Sequence, residues 1–440
     1  MTALAKAVPH RRGACPGLSA PMPTGDGLLV RLRPIGTVSL TAFKALCAAA
    51  RQFGNGIVEV TARGSIQVRG LSAASAPHFA DAVRSLRVAS EDGIPIIANP
   101  LAGLDPDELV DSGALAADLR CALARTSLTD RLAPKVSVAI DGGGALGLDT
   151  LSADVRLRAD LINGDVGLHV SVGGDAANAT SLGTITPRDC TEAALRLLEV
   201  IAQRGRDARA RDLLSAGEVA SFHEALSSCP ALCRASTSYE HEKAKDVDTQ
   251  HKPGHDRNAI GTHHLHDGAF ACGVGLAFGH AAAATLEQLT DAAAASGAHG
   301  VRTVPGRALI AIGLTRESAT AFTAAAGHLG VITRANDPRR QVIACAGAPI
   351  CASAQIAARA MAPSLAEIAA LQLGDSFKIH VSGCAKGCAH PAPAALTIVG
   401  TPAGCGLVAN GSARDEAFAV VAADQLPAAI VSAIREARHV

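Results

Sequence analysis

Apolar and polar positions along the chain recur with two periods, and each change of period marks an element. Leu28-Leu29-Val30-Arg31-Leu32 reads as a strand, after which Leu40, Phe43, Leu46 and Ala50 fall at helical spacing up to Gly54. The stretch IVEVTARGSIQVRGL then reads as two strands around a turn. The same order returns downstream, with Val274-Gly275-Leu276-Ala277-Phe278 as a strand, Leu286 and Leu289 on a helix ending at Gly297, and VRTVPGRALIAIGL as a strand pair.

The spacing of these landmarks is that of an internal repeat. Gly36 to Gly54 and Gly279 to Gly297 are both 18 residues apart, at an offset of 243, and Arg63 corresponds to Arg307 at an offset of 244. Ile97-Ala98-Asn99 matches Ile343-Ala344-Cys345 at an offset of 246, and Val138 to Gly142 matches Ile379 to Gly383 at 241. Each half therefore reads as a small strand–helix–strand–strand unit followed by a larger α/β unit. Between them, residues 239–252 are charged and aperiodic, and six of the sixteen histidines lie between His241 and His266, which reads as a polar connector.

Composition narrows the function. Forty Lys+Arg balance forty Asp+Glu, so no basic excess attracts nucleic acid or a membrane surface. Aromatic residues make up 2% of the chain, too few for a base-stacking platform. The first 17 residues lack the apolar core of a secretory signal, and no apolar run is long enough to span a bilayer, so the expected location is cytoplasmic. In that compartment clustered cysteines point to metal or redox chemistry. Isolated ones such as Cys47, Cys121 and Cys190 read as small buried apolar residues.

Four of the twelve cysteines form a constellation: Cys345 and Cys351 at C-x5-C, then Cys384 and Cys388 at C-x3-C. The first half has Asn99 and Gly143 where Cys345 and Cys384 stand. Four thiolates suit a 4Fe–4S cluster, whereas structural zinc favours pairs two to four residues apart. Cys351 opens an apparent helix, ASAQIAARAM, and Cys384 follows the strand FKIHV in a glycine-rich turn. Backbone N–H groups at both places would support the negative charge of a cluster. Lys386, between Cys384 and Cys388, is a candidate to raise its potential.

The C-x5-C pair followed by SGCAKGCAHP resembles the cluster motif of sirohaem-type sulfite and nitrite reductases, and TARGSIQ resembles their tetrapyrrole-contact strand. Within that superfamily, RRGACPGLSAPMPTGDGLLVRLRP, FGNGIVEVTARGSIQVRGL and DSFKIHVSGCAKGCAHPAPAALTIVG resemble the precorrin-3B synthase family. The resemblance implies an α+β, internally duplicated reductase-like fold of two pseudo-two-fold-related halves. Its divisions would be a ferredoxin-like half-unit over 1–75, an α/β domain without cluster cysteines over 76–228, the His-rich linker over 229–268, a second half-unit over 269–335 and a cluster-bearing α/β domain over 336–440.

The resemblance also implies the reaction: oxygen-dependent hydroxylation of the metal-free tetrapyrrole precorrin-3A with lactone formation, in aerobic cobalamin biosynthesis. It implies a 4Fe–4S cluster on Cys345, Cys351, Cys384 and Cys388, and a mononuclear non-haem iron besides. Sirohaem belongs to the alternative, a nitrite or sulfite reductase. Those reductases hold their anion with paired lysines; here Lys135 is present and Ser137 takes the second place, which favours the synthase. With no G-x-G-x-x-G between a strand and a helix, electrons are expected through a partner, NADH by way of a reductase or a ferredoxin- or flavodoxin-like protein.

A polycarboxylate substrate suits a chain with 32 Arg against 8 Lys, because guanidinium forks bind carboxylates in two-point fashion. The candidates are Arg63, Gln67 and Arg69, expected on one face of one strand, with Lys135 and Arg307. His380 reads as a hydrogen-bonded core residue, while His390 is open between ligand and bystander. Cys15, Cys229 and Cys233 read as non-ligands.

Overall fold

The computed structural model describes residues 16–228, 258–372 and 377–437. Cys15, Cys229, Cys233 and most of the His-rich connector lie outside the described residues. The chain forms two compact units. One takes in Pro16–Ser90, Ala259–His263 and Phe270 onward; the other takes in Glu91–Asn258, as far as described, and His264–Ala269.

The first copy of the small unit comprises β1 (Met22–Thr24), β2 (Gly27–Leu32), β3 (Val38–Ser39), α1 (Leu40–Phe53), β4 (Ile57–Val60), β5 (Ile66–Leu71) and α2 (Ser75–Ser85). Ser39 starts α1 by accepting a hydrogen bond from the Ala42 N–H at 3.2 Å. The unit enclosed by Glu91–Asn258 contains β6 (Ile96–Ala98), α3 (Ser112–Ala124), α4 (Leu128–Arg131), β7 (Val138–Asp141), β8 (Ala153–Ile162), β9 (Asp165–Gly174), β10 (Thr180–Ile185), α5 (Cys190–Gln203), α6 (Ala210–Ser215) and α7 (Val219–Ser227).

The second copy repeats this order with β11 (Gly261–His264), β12 (Phe270–Gly275), β13 (His280–Ala282), α8 (Ala283–Ala295), β14 (Gly300–Val304), β15 (Ala308–Leu314) and α9 (Arg316–His328). It ends with β16 (Val342–Ala344), α10 (Ala358–Gln372), β17 (Ile379–Ser382), β18 (Ala394–Thr401), β19 (Gly404–Gly411), β20 (Ala419–Val421) and α11 (Leu426–Ala437). Strand β11 falls inside the stretch read as connector. It lies beside β12 as β1 lies beside β2, so the second copy starts earlier than polarity alone suggests.

The two small sheets exchange edge strands. Their orders are β1-β2-β5-β4-β13 and β11-β12-β15-β14-β3, so each copy lends the other the strand before its first helix. Ala281 pairs with Val58 across β13 and β4, and Val38 pairs with Val301 across β3 and β14. Beneath both sheets lies one core that combines Phe43, Leu46 and Phe79 with Leu286, Leu289 and Phe322. The copies are therefore joined by backbone pairing as well as by apolar burial.

The two larger sheets, β6 to β10 and β16 to β20, have matching topology. Each begins with two parallel pairings, β6–β7–β8 and β16–β17–β18, and continues antiparallel to its end. Helices α3 and α5 bury an apolar face against the first sheet, while α10 and α11 do so against the second. Cys121 departs from its expected burial. Helix α3 turns Ser112, Ala116, Leu119 and Leu123 inward, which leaves Cys121 on the outer face and exposed, whereas Cys47 and Cys190 are buried.

Because Leu286 has no exposed surface in the shared core, Leu286→Ala is expected to destabilise the exchanged pair by about 2–5 kcal/mol. A lowered thermal unfolding midpoint checks this, and an unchanged one counts against a single shared core.

Candidate functional site

The four cysteines occupy two loops at one end of the β16–β20 sheet. Cys345 directly follows β16 and Cys351 lies in the segment after it, while Cys384 and Cys388 lie in the loop after β17. The Gly383 N–H donates to the Cys345 Sγ at 3.1 Å, and the Gln355 N–H donates to the Gly383 carbonyl at 2.7 Å, tying the loops together. Lys386 Nζ adds a bond to Ser353 Oγ at 2.8 Å. A Cβ at Gly383 would stand 2.6 Å from the Ala354 Cβ, so the close approach requires glycine.

Cys351 does not begin a helix. Its N–H donates to Gly347 at 2.8 Å and the following residues turn toward Gly383, so α10 starts only at Ala358. Backbone groups that would have started a helix are used to hold the loop. Burial pushes the Cys345 thiol up and so do the nearby Cys351 and Cys388, while the Gly383 and Gly347 N–H groups pull it down. Keeping this sulfur as a thiolate therefore calls for positive charge in the site.

The other copy shows what this place becomes without cysteine. Asn99 follows β6 as Cys345 follows β16, and its Oδ1 accepts the Gly142 N–H at 2.6 Å, the counterpart of the Gly383 bond. Its Nδ2 donates to Asp141 Oδ1 and the Leu146 carbonyl, both at 2.8 Å. Asp141 in turn accepts from the Leu148 N–H at 2.7 Å. One copy closes its loop with hydrogen bonds where the other presents thiols.

A second polar feature crosses the β1–β13 sheet on the face away from its core. Arg31, Gln67, Glu59 and His280 stand in register on β2, β5, β4 and β13. Arg31 donates to Gln67 Oε1 through Nε at 3.0 Å and Nη2 at 2.5 Å, and Gln67 Nε2 donates to Glu59 Oε2 at 2.6 Å. Glu59 Oε1 also accepts from Arg69 Nε at 3.0 Å and from Arg359 Nη2, which comes from the start of α10. Arg359 Nη1 is buried with no hydrogen-bond partner. Burial alone would raise the Glu59 pKa, but Arg69, Arg359 and Gln67 together hold it below the ordinary carboxylate value. The His280 imidazole is pushed down to about 4, chiefly by burial and then by Arg359.

Gln67 and Arg69 thus share a face as expected, turned toward Glu59. Arg63 does not share their strand, because β5 begins at Ile66 and Arg63 lies in the turn from β4, bridging to Pro305. The turn at Gly64, with φ +77, ends one strand before the next starts. Lys135 is exposed in the turn before β7 in the other unit, and Ser137 is fully buried. Arg307 stands in the β14–β15 hairpin turn, and its Nη2 donates to the Ala389 carbonyl at 3.0 Å, beside Cys388.

The expected hydrogen bonds of His380 are absent. It is fully buried, yet neither ring nitrogen has a partner, because Thr397, opposite it on β18, turns its hydroxyl to the Gly411 carbonyl. His390 packs edge-on to it with ring centroids 5.6 Å apart, and the His390 Nε2 lies 3.3 Å from the Pro393 carbonyl. Sequence reasoning also missed Glu59 and Arg359. Glu59 was signalled, as the one charge in the apolar strand IVEV, but Arg359 comes from 300 residues away.

No three His, Cys, Asp or Glu side chains converge as a single-ion site among the described residues. Zinc draws its ligands to about 2.3 Å and so needs such convergence, whereas a 4Fe–4S cube takes one thiolate at each iron and needs them further apart. The donor set, the N–H support and the unpartnered His380 beside the loop fit the cluster. They do not supply two histidines and a carboxylate for a mononuclear iron.

Residues 20–86 match the nitrite/sulfite reductase ferredoxin-like half domain. The fold is similar to that of the Mycobacterium tuberculosis NirA protein, with a TM-score of 0.73 at 20% identity, over 94% of this chain and 81% of that one. The duplicated sheets thus make a nitrite/sulfite reductase-like fold. A ferredoxin–nitrite reductase of Synechococcus elongatus is 24% identical over 86% of this chain and 77% of its own length. A Precorrin-3B synthase of Sinorhizobium sp. is 42% identical over 92% of this chain and 84% of its own length. The chain belongs to the precorrin-3B synthase family, and the reductases are distant relatives.

Replacing Glu59 by Gln would leave two guanidinia buried against a neutral amide, and a loss of about 3–5 kcal/mol is expected at neutral pH. Since the Glu59 pKa is lowered on folding, its contribution is complete above the unfolded carboxylate value and is lost as pH falls through the folded one. Denaturant midpoints of wild type and Glu59→Gln should converge as pH is lowered through that window. A difference that stayed constant would contradict the assignment.

Proposed function

We propose that this protein is an oxidoreductase that converts precorrin-3A with dioxygen and a reductant, hydroxylating the macrocycle with lactone formation, in cobalamin biosynthesis. The observation that carries the reading is 42% identity across 84% of the length of a Precorrin-3B synthase. The cysteine loops support it, since they offer a 4Fe–4S cluster the four thiolates of Cys345, Cys351, Cys384 and Cys388. Such a cluster, when bound, supplies single electrons.

The chain's own part is binding and orientation. On the polar face of the β1–β13 sheet, Arg69 and Arg359 bring two guanidinia against the carboxylate of Glu59 and Gln67 holds Arg31 beside them, so the part-exposed forks of Arg31 and Arg69 are donors for substrate carboxylates. Gln67 fixes the direction of Arg31 and Glu59, and Arg63, in the adjoining turn, is the next carboxylate donor. Anchoring several carboxylates fixes which meso carbon meets the oxidant, so regioselectivity follows from positioning. Among the described residues no two histidines and a carboxylate come together to hold a mononuclear iron. The electron donor is proposed to be a partner, an NADH-dependent reductase or a ferredoxin- or flavodoxin-like protein, approaching the loop where Cys388 is exposed.

The test is turnover of precorrin-3A by anaerobically purified protein given reductant and labelled dioxygen. One labelled oxygen in the product, with oxygen uptake that depends on substrate, is expected. A sirohaem Soret band with nitrite or sulfite turnover would instead establish the reductase reading. Cys384→Ser is expected to lose the brown chromophore and the activity together, and full retention of both would overturn the ligand assignment.

A further inference from the structure

Two groups beside the cysteine loop have needs that the protein leaves unmet. The first is Arg307. It occupies the second position of the β14–β15 hairpin turn, with φ at 64° after Gly306 at 88°, a turn that favours Asn-Gly over arginine. Its stem runs over Gly279, where a Cβ would lie 2.8 Å from the Arg307 Cδ. The guanidinium is thereby carried inward to the Ala389 carbonyl, adjacent to Cys388. Burial lowers its pKa, no charged neighbour contributes, and no carboxylate forms an ion pair with it among the described residues. A partly buried cation with no counter-charge among the described residues is unfavourable, and an anion beside it would offset that cost.

The second is His380. A neutral imidazole has one N–H donor and one acceptor nitrogen, and here both are buried without partners. It lies under the same loop, with its Cε1 3.9 Å from where a Cβ on Gly387 would be. Having no exposed surface, it is out of reach of a tetrapyrrole arriving from solvent, but not of a group built into the loop itself.

We propose that Arg307 and His380 are positioning residues for the cluster, the partly buried guanidinium as its counter-cation and the imidazole as an N–H donor to its sulfurs, together raising its reduction potential. Adding an electron makes the cluster more negative, and a cation or N–H donor beside it stabilises that state. Lys386, the cation marked by sequence, is exposed and bonded to Ser353, so solvent and salt screen it. The inference rests on the 4Fe–4S reading of the four cysteines and gives Arg307 a part other than holding substrate.

The test is a redox titration of the holoprotein, without substrate, followed by the EPR signal of the reduced cluster. At the wild-type midpoint, Arg307→Gln should lower the reduced-to-oxidised ratio at least tenfold, a shift of about 59 mV for one electron. Arg307→Lys should recover most of the loss. His380→Phe should lower the ratio several-fold, and His380→Gln, which keeps a donor, should lower it less. An unchanged midpoint in both Arg307→Gln and His380→Phe, with the cluster present, overturns the inference alone. A Lys386→Gln shift as large as that of Arg307→Gln also overturns it. Wild-type protein with no reducible signal and no acid-labile sulfide would bring down the cluster reading as well.

Discussion

A single backbone N–H, that of the first residue past the second strand of each larger sheet, fixes the loop at that end of the sheet. Gly383 donates it to the Cys345 Sγ at 3.1 Å, and Gly142 donates it to the Asn99 Oδ1 at 2.6 Å. The loop has to turn over the end of a parallel sheet, where strand ends leave N–H and C=O groups unpaired. An asparagine offers both a donor and an acceptor, so Asn99 satisfies Asp141 and Leu146 as well and the loop becomes self-sufficient. A cysteine accepts weakly and donates little, so the loop of the second copy lacks that self-sufficiency. Duplication thus yields one hydrogen-bonded end and one thiol-bearing end from the same topology.

The strand exchange gives that asymmetry its setting. Because β13 completes the sheet of β4 and β5, residues from both copies lie in one row, with His280 opposite Glu59. Arg359, on the helix that follows the cysteine segment, reaches the same carboxylate. The polar face of the sheet and the end of the sheet that carries the cysteines are therefore joined through one buried charge network. Such a network is costly to bury and costly to break. Arg307 extends the same logic from the other hairpin, since its sequence position is set by a turn and its function by the loop it reaches.

Much of this was legible in the sequence. The glycine pairs 18 residues apart and the offsets near 243 revealed the duplication, since period and spacing survive when side chains change. The placing of the four cysteines on two adjoining loops was legible because they fall in pairs just after neighbouring strands. Strands β3 and β13 were not, being two and three residues long, too short for any period to show. Alternation placed Gln67 and Arg69 correctly on one face, but extended that face to Arg63 across a turn that only the conformation of Gly64 reveals. The segment after Cys351 has helical composition, yet its backbone bonds go to Gly347 and the neighbouring loop, a tertiary preference that overrides propensity. The isolation of His380 depended on where Thr397 sends its hydroxyl, which no local pattern encodes.

The most direct measurement is the iron and acid-labile sulfide content of anaerobically purified wild type beside Cys345→Asn, the residue that the other copy uses at this place. The account predicts one 4Fe–4S cluster per wild-type chain and a folded variant with neither iron nor sulfide. Wild type holding zinc without sulfide, or a Cys345→Asn chain with its full cluster content, would contradict it.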